Sequence, residues 1–368
     1  MSMKKMTIYG CFLVVTMLSC NKPDIRLDNP NDALRPAAEF ARNNYAFSLL
    51  SAAIVKAGLE EELNKPGALT MWAPTDAAFN RIGIRSPADF DNYDTESLRQ
   101  LVLNHVQPGK LMVESIPLGS VNNRYDNAAG NNSWLARIDI TAVPTNPNRT
   151  IRAYVNGAQV GIDNRYNIPL SNGIFHEISE VLKYEDASVR EWLEKKGHYK
   201  VLIAGLKHFG YWDMLTDDKQ WTIMAPADSI FERQGMTVES VTELDTAVYG
   251  KRLFGAYIFP VRFFVSDLGL FKLKLFVGSG ATVELGVYTP IMGDESFSNG
   301  ITPIIGRFNG PGFFVNKTFP QESWDMVYTY AVSYPDYRSN WSRSNHLTRN
   351  GCIHHLDGVV LLPYQAHD

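Results

Sequence analysis

Apolar positions along this chain change period several times, which predicts short helices and strands in irregular alternation. Leu49, Leu50, Ala53, Ile54 and Ala57 recur at helical spacing with Gly58 placed as a C-terminal cap, predicting a core-facing helix. Thr70 to Ala73 is a short apolar run that Pro74 ends, so a strand is expected there. Thr75 then stands where a helix N-cap belongs, with Asp76 in the first turn, where the helix dipole favours a carboxylate. Asn172-Gly173 predicts a tight turn with positive φ, followed by Ile174, His176 and Ile178 alternating with Phe175 and Glu177 into Val181-Leu182, a half-buried strand. The fold class expected is α+β.

These patterns occur twice. Thr70-Met71-Trp72-Ala73-Pro74-Thr75-Asp76-Ala77-Ala78-Phe79 aligns with Thr222-Ile223-Met224-Ala225-Pro226-Ala227-Asp228-Ser229-Ile230-Phe231 at an offset of 152, Pro74 to Pro226. The same offset pairs Leu50 with Leu202, Gly58 with Gly210 and Pro108 with Pro260. A closing block, Asn172-Gly173-Ile174-Phe175-His176-Glu177-Ile178, matches Asn350-Gly351-Cys352-Ile353-His354-His355-Leu356 at an offset of 178, so the second copy carries 26 additional residues between its two blocks. The expected organisation is residues 1–19 a signal peptide, 20–35 a lipidated tether, 36–184 one domain, and 187–364 a second domain with an aromatic-rich insertion. Two domains also suit 368 residues at about 150 per domain.

The N-terminus has its own pattern. Lys4 and Lys5 precede an apolar run from Ile8 to Leu18, about half the ~20 residues that span a bilayer as a helix, so it reads as a signal peptide. Met17-Leu18-Ser19-Cys20 resembles a bacterial lipobox, which implies acylation of Cys20 and attachment to the membrane through lipid alone. The alternative is ordinary secretion with Cys20 as a remaining thiol. By resemblance to the sorting rules of some two-membrane bacteria, Asn21 after the cysteine implies the outer membrane. With Cys11 removed and Cys20 acylated, Cys352 has no partner for an intramolecular disulfide and is expected to be a small buried hydrophobe.

Composition narrows the function classes. A hydrophobic share of 45% and a charged share of 20% belong to a packed globular protein, and a net charge of -4 offers no cationic excess for a phosphate backbone, so nucleic acid is not an expected partner.

The Thr-x-x-Ala-Pro-x-Asp-x-x-Phe block, Asn104-His105-Val106-Gln107-Pro108-Gly109 and the Asn-Gly-x-x-His block together resemble the fasciclin-type adhesion domain, over nearly all of the chain beyond the tether. The resemblance implies a wedge of β-strands with helices packed along one side, and binding rather than catalysis. Its motif positions are Thr70, Pro74, Asp76, Phe79, His105, Asn172 and His176, then Thr222, Pro226, Asp228, Phe231, Tyr257, Asn350 and His354. The family's adhesive Tyr-His pair falls on Asn104-His105 and Ala256-Tyr257, so neither copy keeps both residues. The Asp-Ile pair of some animal members falls on Asn167-Ile168 and Asn345-His346. Without the carboxylate, integrin binding does not transfer.

No G-x-S-x-G elbow occurs, and no enzyme, metal or cofactor is expected. His176 and His354 recur at equivalent strand positions, which points to a shared packing or hydrogen-bonding role, while His354 and His355, adjacent on a strand, face opposite ways and cannot chelate one ion by themselves. Asp76 and Asp228 are expected to stabilise helix starts. Trp324, Tyr328, Tyr330, Tyr334, Tyr337 and Trp341 form either a ligand-binding surface for glycan or protein, or core and loop packing. Val121 to Asn148, rich in Asn, reads as an exposed loop. Asp228-Ser229-Ile230 and Asp245-Thr246-Ala247 resemble O-glycosylation triplets of some Bacteroidota. The function expected is a cell-envelope lipoprotein that binds extracellular protein or polysaccharide in adhesion or attachment. The alternative is a structural component of an envelope uptake complex with no soluble ligand.

Overall fold

Helices gather at the start of each half of the chain and strands at its end. The computed structural model describes residues 34–368 except 119–122, 142–148, 162–163, 250–251, 265–266, 268–272, 278–280, 286–303, 308–312, 317–325, 329–343, 357 and 367–368. In the first half, α1 (Ala37–Arg42), α2 (Ser48–Lys56) and α3 (Glu60–Asn64) lead into β1 (Leu69–Pro74), followed by α4 (Asp76–Arg81), α5 (Thr95–Leu103) and β2 (Val106–Pro108). Then come β3 (Asn123–Asp126), β4 (Asn132–Thr141), β5 (Arg149–Val155), β6 (Ala158–Val160), β7 (Ile168–Leu170) and β8 (Gly173–Ile178). β9 (Tyr184–Glu185) closes the first half, and the second half runs through α6 (Val189–Lys196), α7 (Lys200–His208), β10 (Trp221–Pro226), α8 (Asp228–Glu232), α9 (Val238–Thr242), α10 (Thr246–Tyr249), α11 (Arg252–Gly255) and β11 (Ile258–Phe259). It ends with β12 (Leu273–Val277), β13 (Ala281–Leu285), β14 (Ile304–Arg307), β15 (Phe313–Asn316), β16 (Met326–Tyr328), β17 (His346–Thr348), β18 (Gly351–Leu356) and α12 (Pro363–Ala366).

One sheet has the order β2-β1-β8-β6-β5-β4-β3, with β7 also on β8, and the other β11-β10-β18-β17-β9. At the centre of each, two strands run parallel: β1 beside β8, Trp72 opposite His176, and β10 beside β18, Met224 opposite His354. Strands flanked on both sides read as continuous apolar runs. That is why Met71 to Ala73 and Ile223 to Ala225 are buried without alternation. Leu49, Leu50, Ala53 and Ile54 of α2 and Val201, Leu202 and Leu206 of α7 supply the helical side of the two cores. Gly58 follows α2 at φ +65°, the left-handed residue that a helix end of this kind takes.

Three expectations change. Gly173 does not have a positive φ. A Cβ there would lie 2.2 Å from the Leu69 carbonyl oxygen, so glycine is needed for close strand approach, and Gly351 meets Trp221 O at 2.3 Å in the same way. The segment 121–148 is not simply an exposed loop: β3 and β4 lie inside it, and Leu135 and Ser133 are buried. Finally, β8 is buried along its whole length and is not half-buried. Beyond these, Tyr184–Glu185 adds a strand to the second half's sheet, with Leu347 opposite Tyr184, so the two halves share a sheet edge within the compact unit Arg35–Asp368.

Gly173→Ala is expected to lower stability by about 1–3 kcal/mol, the usual cost of forcing atoms into a filled space, and to reduce the urea midpoint. An unchanged midpoint would mean that β1 and β8 separate without penalty.

Candidate functional site

The motif residues form a polar frame around the parallel strands, and the frame recurs in both halves. Asn172 Oδ1 accepts from Ala37 N–H (3.1 Å), and Asn350 Oδ1 accepts from Val189 N–H (2.8 Å). Each side chain thereby holds the first helix of its half. Asn172 Nδ2 donates to the Leu63 and Lys65 carbonyls at 2.8 and 2.9 Å, and Asn350 Nδ2 to that of Thr216 at 3.0 Å. Thr70 Oγ1 donates to Gly109 O and accepts from Leu111 N–H; Thr222 Oγ1 does the same with Val261 O and Phe263 N–H. Asp76 accepts Leu49 N–H, and Asp228 accepts Val201 N–H, both at 2.8 Å. These carboxylates cap the starts of α2 and α7 from outside, while also lying in the first turns of α4 and α8. Pro74 and Pro226 end their strands, and Phe79 and Phe231 are fully buried.

The histidines are equally engaged. His176 Nδ1 accepts from Asn167 N–H (3.1 Å), so its proton sits on Nε2 and is donated to Leu111 O (2.8 Å). His354 repeats this with Asn345 N–H and Phe263 O. Asn167 and Asn345 have φ of +55° and +59°, a left-handed conformation that Asn tolerates. His105 donates from Nδ1 to Leu101 O and accepts Leu182 N–H on Nε2. At the equivalent place in the second half the Tyr257 hydroxyl accepts Val360 N–H. Burial holds His105 and His176 down to about 4 and His354 to about 3, partly opposed by their carbonyl partners, and pushes the Tyr257 phenol up. Neither Asn104-His105 nor Ala256-Tyr257 offers a surface for adhesion, since all four residues are buried.

A second concentration of chemistry lies where the halves meet. The Arg262 guanidinium sits 3.4 Å over the Trp134 ring and 4.8 Å from that of Phe264. Phe264, Leu347 and Cys352 pack together with Trp134 and Tyr184 against them. Lys183 Nζ donates to Ser344 O at 2.9 Å. Burial lowers the Lys183 ammonium and raises the Glu180 carboxyl to about 7, each effect opposed by the charge of the other. Burial also pushes the Cys352 thiol up, away from nucleophilic use. The cleft here, lined by Trp134, Leu135, Ala136, Tyr154, Gly157, Phe264 and Asp267, has no room even for a water molecule, far from the ~300 Å³ at which ligand pockets begin.

Among the described residues, no group of three His, Cys, Asp or Glu is arranged to hold a metal ion, and no helix is long and apolar enough to cross a membrane. Cys20, Trp324, Tyr330, Tyr334, Tyr337 and Trp341 lie outside the described residues, and Tyr328 is described only as a backbone position in β16. Arg262, Lys183 and Trp134 were not singled out by sequence. A long-range charge–ring contact leaves no periodic signal in the chain.

The family model for the fasciclin domain matches residues 45–184. The chain contains a fasciclin domain. Transforming growth factor-beta-induced protein ig-h3 from Oryctolagus cuniculus is 25% identical over 236 residues, covering 63% of this chain and 32% of its own length. The same protein from Sus scrofa gives the same figures. The chain thus spans about a third of the length of the curated relatives it matches. A solved FAS1 domain pair from the insect cell adhesion molecule fasciclin I is 16% identical with a TM-score of 0.35, covering 88% of this chain and 99% of that one. Fasciclin domains are associated with cell adhesion and are generally non-enzymatic. The frame of the fasciclin domain here, from Thr70 to His176, is engaged in holding strands and helices together.

That frame sets a pH dependence. Histidines whose folded pKa is depressed contribute stability that is present above 6.5 and lost as pH falls toward 4, because the unfolded chain takes up the protons. Glu180, raised by burial, acts in the opposite sense between 7 and 4.5. From pH 6.5 to 4.5, three histidines at roughly 2 kcal/mol each against one carboxyl of similar size leave a net loss of roughly 4 kcal/mol. Urea unfolding at the two pH values checks this, and equal stabilities would refute it.

Proposed function

We propose that this chain is a lipid-anchored protein of the bacterial cell envelope, in which two fasciclin-type domains bind extracellular protein or polysaccharide in adhesion or attachment. The observation that carries the reading is the fasciclin domain at 45–184 together with its frame, whose histidines are buried and whose Asp76 is half-buried, all committed to internal hydrogen bonds. A scaffold of this kind presents surfaces rather than a reaction centre. Support for a second fasciclin-type domain at 187–364 comes from the recurrence of the Asn, Thr, Asp and His bonds at the sequence offsets. The anchor rests on the Lys4-Lys5 start, the short apolar run and Ser19-Cys20, and the outer membrane on Asn21. Binding is assigned to the aromatic-rich insertion of the second half, with Trp324 and Trp341 stacking on sugar or protein surfaces.

Two experiments test this. Cys20→Ser should release the mature protein from the membrane fraction; continued membrane retention would exclude the lipid anchor. The soluble mature chain lacking Cys20, applied to an array of glycans and matrix proteins, should bind saturably. The Trp324→Ala, Trp341→Ala variant should lose glycan binding while keeping its near-UV circular dichroism. Glycan binding untouched by the substitutions would return those aromatics to packing and move the assignment to protein adhesion. An array with no bound component would favour an assembly role without a soluble ligand.

A further inference from the structure

We propose that the joint between the two halves is an acid-released latch, in which proton uptake by His346 parts β9 from β17 and lets the halves move relative to each other. This goes beyond ligand binding and does not depend on which ligand the chain takes.

The latch is short. β9 contributes two residues to the sheet, Tyr184 opposite Leu347 and Glu185 opposite Thr348, and Lys183 adds one bond to Ser344 O. His346 begins β17, opposite Ile353, immediately beside this pairing. Its Nε2 is buried with no hydrogen-bond partner, so a proton there would have no acceptor.

The surroundings of His346 are cationic or able to become so. From β18 comes His355, with ring centroids 5.4 Å apart, and also His354, whose two nitrogens are already bonded. From α6 come Trp192, at 5.1 Å, and Lys196, which lies over the Trp192 ring at 4.9 Å. From the segment before β9 comes Lys183. Beyond His355, Tyr199 Oη lies 2.6 Å from His355 Nδ1 and His198 stacks on the same ring at 6.4 Å. The nearby carboxylate of β9, Glu185, is taken by Lys195, Lys196 and Trp192 Nε1. Burial and these positive charges hold His346 well below its ordinary value. Taking up a proton therefore favours the arrangement in which His346 reaches water and the lysines move apart. Glu180, beside Lys183, works the other way, since burial favours its neutral form.

Arg262 keeps its charge and its place over Trp134, which makes that pair the pivot about which the opened joint turns.

The test uses the full mature chain lacking Cys20, with spin labels at Glu61→Cys and Glu239→Cys, both exposed, and Cys352 left buried. Inter-label distances should be narrowly distributed at about pH 7.5 and broaden at about pH 5.5, while near-UV circular dichroism of the cores is retained. His346→Gln should remain narrow at both. Lys196→Gln, which removes a charge beside His346 and frees Glu185 to pair with the imidazolium, should shift broadening to lower pH. It serves as the readout should His346→Gln fail to fold. Broadening in His346→Gln equal to that of the parent, loss of the pH response in Glu180→Gln alone, or a parent distribution that stays narrow while its His346 signal titrates by NMR would each overturn the latch.

Discussion

Two parallel strands in each half approach so closely that one position admits nothing larger than hydrogen. At Gly173 the obstacle is the carbonyl of Leu69, and at Gly351 that of Trp221. Strands this close, covered on both faces, have no water to satisfy the polar groups at their ends, so the neighbouring side chains must do it. Asn172 and Asn350 bond to the helix start and loop carbonyls beside the strand entry, Thr70 and Thr222 tie the opposite loop, and His176 and His354 join that loop to the turn before β7 and β17. The polar residues of the recurring motifs are in this arrangement the fastening of a parallel pair.

The same constraint explains what was legible in the sequence. Apolar runs without alternation, the proline that ends each, and helical spacing at Leu49 to Ile54 depend on local geometry, so they are visible in a single chain. The recurrence of Asn-Gly is visible too, but its reason is not: a turn glycine and a close-approach glycine are the same letter, and only the partner strand distinguishes them. The hairpin of β3 and β4 was hidden by its Asn-rich composition. Asn127 forms a turn through its own side chain, accepting from Ala129 and Asn131 N–H, and such residues give a loop signal even between paired strands. The joint was illegible because its parts, Trp134, Lys183, Arg262 and His346, are brought together by tertiary packing alone.

His105 and Tyr257 show how far such a frame can vary. One is an imidazole accepting Leu182 N–H and the other a phenol accepting Val360 N–H, and both are buried. What is retained is an acceptor of suitable reach, not a residue type. A motif defined by letters therefore loses this position in one half, while the hydrogen bond remains.

Because the frame is common to both halves and buried in each, it cannot by itself make one half bind differently from the other. Differences must reside in what is attached to it. The first half carries the β3–β4 hairpin, which places Trp134 against Arg262, and the second carries the strands from β12 to β16 and the aromatic residues around them. The first addition lies partly in the joint, so it acts on the relation between the halves; the second lies between β11 and β17, where the first half has a shorter connection. A domain that keeps its fastening inside and varies its connections can change what it holds without changing how it folds. In this chain one connection, the β3–β4 hairpin, has turned inward and meets its neighbour through Trp134 and Arg262.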